Sequence, residues 1–239
     1  LRKKGAKIAE LRAGRETTEG CIVAVTTADA KLGVIAYVSC ETDFVSKNEE
    51  FRAFATSVAN AALAAGASTK EEVLELTLDG TKIADKLQEK VSAIGELIQL
   101  AAYEKLTGET VVAYNHAGNK IGVLVALNNP KSDVNVEAGK DVAMQVAAMN
   151  PLAVDASGVA QEVVDREVAI AKEKAVAAGK PANILDKIAE GAANTFLKEN
   201  TLLTQPFVKD GSKNVTQFLA EAEKGLTVTA FKRIALGVK

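Results

Sequence analysis

The feature that most constrains this chain is an internal repeat. Residues 22–36 read IVAVTTADAKLGVIA, and residues 111–125 read VVAYNHAGNKIGVLV. The two stretches align without a gap and share 6 identities in 15 positions. A recurring segment of this kind is one supersecondary unit used twice, with each copy helping to cover the other. Each copy consists of two short β-branched runs around a polar turn, the pattern of an antiparallel hairpin. Lys31-Leu32-Gly33-Val34-Ile35 answers Lys120-Ile121-Gly122-Val123-Leu124. A glycine at the start of the second run points to a bulge or to a close approach from outside the strand. A hairpin alone is marginal in water, so each copy needs a third strand or its sister's helix.

Helices follow each hairpin. Ser46-x-x-Glu49 reads as a capping box. It precedes a helix over 47–63 with Phe51, Phe54, Ala55, Val58 and Ala62 on one stripe. In the second copy the stripe is Val142, Ala143, Val146, Ala147 and Met149. Phe54-Ala55-x-x-Val58-Ala59 matches Val142-Ala143-x-x-Val146-Ala147 with a slip of one residue. Between the copies, Ser68-x-x-Glu71 caps a short helix. Ile83, Leu87, Val91, Ile94, Ile98 and Ala101 then recur at helical spacing. Gly95 interrupts that stripe, so either the helix breaks there or something comes close to its backbone. Over 158–200, two further stripes flank Gly179-Lys180-Pro181 and read as an antiparallel helical hairpin. A short helix near 215–224 and a closing strand over 227–236 complete the chain.

The expected fold class is α+β, with two related subdomains, each a small antiparallel sheet with helices, and an inserted helical hairpin. The expected boundaries are a linker remnant over 1–20, one core subdomain over 21–108, and a second over 109–157 and 204–239. The hairpin occupies 158–203 and is a candidate for self-association into a homodimer or for partner contact. The basic tail at the start and the lack of an initiator Met suggest that the chain begins inside a longer one.

Composition narrows the function. Lys and Arg number 29 against 31 Asp and Glu, a net charge of -2. Phosphate-tracking nucleic-acid binders carry a basic excess, so that class is demoted. No apolar run approaches the roughly 18 residues of a membrane span. The single histidine, His116, and the two cysteines, Cys21 and Cys40, are too few for a four-ligand zinc site. Both thiols read as reduced core residues of a cytosolic protein. No Walker cradle, G-x-G-x-x-G or G-x-S-x-G occurs, and no metal or cofactor is implied. His116 lies in a hairpin turn, where it serves as a turn residue, an interface residue or, least readily, a catalytic one.

One segment stands out. Glu41-Thr42-Asp43-Phe44-Val45 falls between a strand and a helix. An aromatic there is either tucked beneath the helix or displayed. The general burial of Phe favours tucking, whereas a displayed Phe beside an Asp would be a protein-binding hot spot.

Cys40-Glu41-Thr42-Asp43-Phe44-Val45, followed by Phe51-x-x-Phe54-Ala55, resembles the core signature of the bacterial elongation factor Ts family. Ala93-Ile94-Gly95-Glu96, Tyr114-Asn115-His116, Gln205-Pro206-Phe207-Val208 and Ala230-Phe231-Lys232-Arg233 appear in that family's order. The resemblance implies a guanine-nucleotide exchange factor for the GTPase elongation factor Tu. Such a factor is not an enzyme, binds no nucleotide itself and acts in the cytoplasm. It implies that Asp43 and Phe44, flanked by Thr42 and Val45, wedge between two helices of the partner's GTPase domain and disturb its Mg²⁺ and phosphate site. Ile94 and Gly95 would touch the same domain. His116, and Val208 with Lys209, would reach a distal domain, and Arg12 would be a basic contact in the linker. The resemblance also leads one to expect an N-terminal ubiquitin-associated-like domain, of which this sequence carries only the last helix and linker, and in some members a C-terminal helical module, of which no counterpart is read here. The alternative reading is a pseudo-symmetric interaction scaffold that holds a partner without exchange.

Overall fold

A computed structural model describes residues 14–237. The hairpins of the repeat form as β1 (Glu19–Thr26) with β2 (Leu32–Cys40), and β6 (Thr110–His116) with β7 (Ile121–Leu127). Each gains a third strand. β5 (Gln99–Thr107) joins β2, and β10 (Val228–Ala235) joins β7, giving sheets of order β1-β2-β5 and β10-β7-β6. Antiparallel pairing sets Cys21 opposite Val38 and Val111 opposite Ala126.

The helices are α1 (Asp43–Ser46), α2 (Glu49–Ala65), α3 (Lys70–Glu75), α4 (Ile83–Ile94), α5 (Asp133–Met149), α6 (Gln161–Ala177), α7 (Leu185–Asn200) and α8 (Val215–Ala222). Two short ladders pair β3 (Thr77–Leu78) with β4 (Thr81–Lys82) and β8 (Pro206–Phe207) with β9 (Asp210–Asn214), and short 3-10 turns lie at Ala156–Gly158, Ala182–Ile184 and Leu202–Thr204.

Alternation along the strands builds two cores. Cys21, Val23, Ala36, Val38 and Cys40 face α2 and α4, against Phe51, Ala55, Val58, Leu87 and Val91. Ile22, Ala24, Ile35 and Tyr37 point the other way, onto Val111, Leu124 and Ala126 of the sister sheet. Strands buried on both faces require nearly continuous apolar runs, which is what the repeat supplies.

The repeat glycines sit where the two sheets meet. A Cβ on Gly33 would stand 2.7 Å from Leu124 Cδ2 and 2.9 Å from Val111 Cγ1. A Cβ on Gly122 would stand 2.7 Å from Ile22 Cγ2 and 2.9 Å from Ile35 Cγ2. Each copy's glycine therefore receives the other copy's side chains. Backbone bonds repeat the exchange. Val111 N–H donates to Ala30 O at 2.6 Å, and Ile22 N–H donates to Asn119 O at 2.8 Å. Ala30 and Asn119 occupy aligned turn positions, and both have left-handed φ, 57° and 68°. Asn115 adds an asymmetric bond pair: its amide bridges both Ala24 N–H and Ala24 C=O at the edge of β1.

Several boundaries differ from the sequence reading. The cap of α2 is Asn48, whose side chain accepts from Phe51 N–H, not Ser46. Ser46 is instead buried at the end of α1, with its hydroxyl donating to Asp43 O. The cap of α3 is Thr69 rather than Ser68. The long apolar stripe is not one helix. α4 ends at Ile94, Gly95 adopts φ 82°, and Ile98 reaches the same core just ahead of β5. Met149 leaves the buried stripe of α5 and is exposed.

The chain divides into two compact units. One takes in the residues up to Ala147 and from Thr229 onward; the other is Ala148–Val228. The second unit holds the helical hairpin, in which Ala175 of α6 and Ala189 of α7 are buried and Lys172 pairs with Asp186 at 2.6 Å. It also contains the β8–β9 ladder, where buried Phe207 stacks on Phe218 at 4.1 Å. Among the described residues, no helix is long and apolar enough to cross a membrane.

Candidate functional site

The site begins at the end of β2. Cys40 is the last strand residue, and its Sγ–H donates to Thr42 O at 3.3 Å. Thr42 is extended (φ -123°, ψ 156°), and a single helical turn, α1, follows. Successive helical residues point about 100° apart, so a one-turn helix shows one side inward and one outward. Ser46 is buried and Val45 packs on the core beneath α2. Phe44 is thereby forced outward and is 85% exposed. The expectation of a tucked Phe44, drawn from the habits of Phe, is thus corrected: its neighbours take the inward positions. The turn is held at its far end by Arg52, whose Nε–H donates to Ser46 O at 2.9 Å.

Asp43 pairs with Lys47 one turn on, at 2.6 Å. The hydrogen bond from Lys47, and then its charge, hold the Asp43 carboxyl below the usual carboxylate range. Asp43 therefore stays anionic beside the exposed ring.

Ile94, 39% exposed, stands at the end of α4 across a shallow groove of about 380 Å³ that Phe44, Phe51, Lys90 and Ala93 help to line. Lys90 in that groove pairs with Glu50 at 2.5 Å and lies 5.6 Å from the ring centre of Phe54. Gly95 has open space where a Cβ would go, so its requirement within this chain is the positive φ that ends α4.

Two carboxylates join the end of α4 to the start of α1. Glu96 Oε2 accepts the backbone N–H groups of Glu41 and Thr42, each at 3.1 Å. Glu96 Oε1 accepts the Thr42 hydroxyl at 2.5 Å. In return, Glu41 Oε1 accepts Leu97 N–H at 2.7 Å, while Arg15 holds its other oxygen at 3.0 Å. Glu41 and Glu96 lie within the sequence motifs, but the motifs give them no role of their own. The available signal was an acidic residue directly after a helix-ending glycine.

Thr42, Asp43, Phe44, Val45, Ile94 and Gly95 are thus brought together. His116 lies at the end of β6, exposed, with Nδ1 2.8 Å from the Tyr114 hydroxyl. Strand alternation sends Asn115 the opposite way, onto β1. The turn after His116 comes near the residue that anchors α1: a Cβ on Gly118 would stand 4.0 Å from Nη2 of Arg52. Val208 and Lys209 belong to the second unit. They form the two-residue turn between paired Phe207 and Asp210, and Val208 is 46% exposed. Arg12 lies outside the described residues.

Both cysteines are free and buried. Burial pushes the Cys21 thiol up to about 11 and the Cys40 thiol up to about 12. Neither is a nucleophile near neutrality. Among the described residues no cluster of His, Cys, Asp and Glu is placed to hold a metal ion. The arrangement is an exposed aromatic next to a negative charge, the chemistry of a protein-binding hot spot.

The sequence matches the family described as Elongation factor TS over residues 41–238. It is 49% identical over 237 residues to the protein named Elongation factor Ts in Amoebophilus asiaticus, covering 99% of this chain and 86% of that relative. The same name belongs to relatives in Flavobacterium psychrophilum, 45% identical with 99% and 85% covered, and Chlorobium phaeobacteroides, 38% identical with 99% and 86% covered.

Proposed function

Because this chain belongs to the elongation factor Ts family, a family of translation elongation factors, we propose that it is the guanine-nucleotide exchange factor of elongation factor Tu. It binds the GDP-loaded GTPase and speeds GDP release without a chemical step of its own. The observation that carries this reading is the 85% exposure of Phe44 on a helix whose other side chains are anchored.

The mechanism is thermodynamic linkage. A factor that binds the empty GTPase more tightly than the GDP-bound one weakens GDP binding by the same ratio. Phe44 and Asp43 wedge into the GTPase domain, with Ile94 and Gly95 alongside them. Burial of the Phe44 ring contributes about 1.5–3 kcal/mol, and only when the partner's pocket is open. Mg²⁺ tolerates little departure from octahedral geometry. A small shift of its ligands, or of the amides around the phosphates, therefore loosens the nucleotide steeply. That is selective binding of one state, as a population shift requires. His116, Val208 and Lys209 serve as further partner contacts that add affinity away from the nucleotide.

The test is the release of fluorescent GDP from elongation factor Tu on mixing with excess unlabelled nucleotide. This chain should accelerate release. Phe44→Ala should reduce the acceleration by about 10- to 100-fold, the loss of that burial converted at 1.4 kcal/mol per factor of ten. Binding without faster release would instead support a scaffold.

A further inference from the structure

We infer that Glu96 and Glu41 are positioning residues, a crossed carboxylate clamp that makes the exposed Phe44 and Ile94 one rigid docking edge. The inference rests on the exchange reading above. Its basis is the energetics of α1. A helix of four residues cannot hold itself together, because nucleation costs more than one turn of hydrogen bonds returns. A side-chain cap is the usual remedy, yet Thr42, at the cap position, makes no side-chain bond to the helix. Its hydroxyl is given to Glu96 instead, together with its own N–H and that of Glu41. Bonds from backbone N–H to an ionised carboxylate are among the stronger hydrogen bonds in proteins. The return bond from Leu97 N–H to Glu41 closes the loop in the opposite sense.

The clamp joins segments 54–56 residues apart, and each end carries an exposed apolar side chain within a few positions. Gly95 is the hinge that makes this possible. Its left-handed conformation turns the chain out of α4 so that Glu96 faces back toward Thr42. Without the clamp, α1 would still be tethered by Val45 and Arg52, but its entry from β2 would be free to move. Phe44 would then have to be ordered on docking, and a wedge that must be ordered first binds more weakly.

The test uses the full chain in two measurements. First, amide exchange over residues 41–46 and 95–97: Glu96→Ala should lose protection there while the β1–β2 core keeps it. Second, affinity for nucleotide-free elongation factor Tu in a double-mutant cycle with Phe44→Ala. Glu96→Ala should weaken binding about tenfold when Phe44 is present and clearly less, through Ile94 alone, when it is already Ala, since a positioning residue acts only through the groups it positions. Glu96→Gln, which keeps one neutral acceptor oxygen, should fall between the wild type and Glu96→Ala. Equal penalties in both backgrounds would overturn the inference, as would unchanged amide protection. If the wild-type chain did not speed GDP release, the exchange reading would fall, and the clamp would stand or fall on the amide exchange alone.

Discussion

The two copies of the repeat share a core and differ at their tips. In both, a glycine admits the sister's side chains and a left-handed turn residue accepts a bond from the sister's first strand. After β2, however, the first copy enters α1 within three residues and displays Phe44. After β7, the second copy crosses Asn128-Asn129-Pro130-Lys131-Ser132 into α5, and no aromatic lies in that loop. The turns differ in the converse way. In the first copy, Thr27 and Asp29 bond to each other and tie down the backbone of Lys31 and Leu32. In the second, the turn exposes His116 against Tyr114. Duplication preserved what packing demands, and the candidate contacts arose in segments that packing leaves free. This is why a duplicated core and an asymmetric exposed edge coexist in one pseudo-symmetric unit.

The sharpest break in the comparison sets two phenylalanines of the first copy against each other. Phe51, 1% exposed, should cost about 3–5 kcal/mol of stability as Phe51→Ala in urea unfolding. Phe44→Ala should change stability in the same unfolding by no more than about 0.5 kcal/mol, because nothing in the core is removed. Next come the paired glycines. Gly33→Ala and Gly122→Ala each force a methyl to within 3 Å of two sister side chains. Each should cost about 1–3 kcal/mol, and the two costs should be alike, as overpacking in a shared layer requires. Very unequal costs would break the pseudo-symmetry. Asn115→Ala should cost about 1–3 kcal/mol by stranding both backbone groups of Ala24, whereas the aligned Thr26→Ala should stay within about 0.5 kcal/mol.

A separate effect is expected in alkali. The Cys21 and Cys40 thiols have folded pKa values raised to about 11 and about 12. The folded state therefore keeps protons that the unfolded chain releases. The stability this adds is complete below about pH 8.5, the free thiol's pKa, and is lost as pH climbs toward the folded values. The urea midpoint should fall between about pH 9 and 11, with a shallower fall in Cys40→Ala.

Much of this was legible in sequence because it is periodic or duplicated. The repeat located both hairpins, and the matched stripes Phe54-Ala55-x-x-Val58-Ala59 and Val142-Ala143-x-x-Val146-Ala147 located both buried helix faces. The misreadings have local causes. Ser46 and Asn48 both have capping chemistry, and Ser46 was already used inside α1. Ile98 kept the rhythm of α4 by coincidence, since it enters the same core from the start of a strand. The general tendency of Phe toward burial failed at Phe44 because Val45 and Ser46 filled the inward positions. The Glu96 clamp joins distant segments and has no periodic signature.

On the proposed mechanism, the Phe44 edge fits the empty GTPase better than the loaded one. Calorimetric titration of this chain against elongation factor Tu, nucleotide-free and saturated with Mg²⁺ and GDP, measures that directly. Markedly tighter binding to the nucleotide-free form is expected, with the gap shrinking in Phe44→Ala. Equal affinities for the two forms would contradict it.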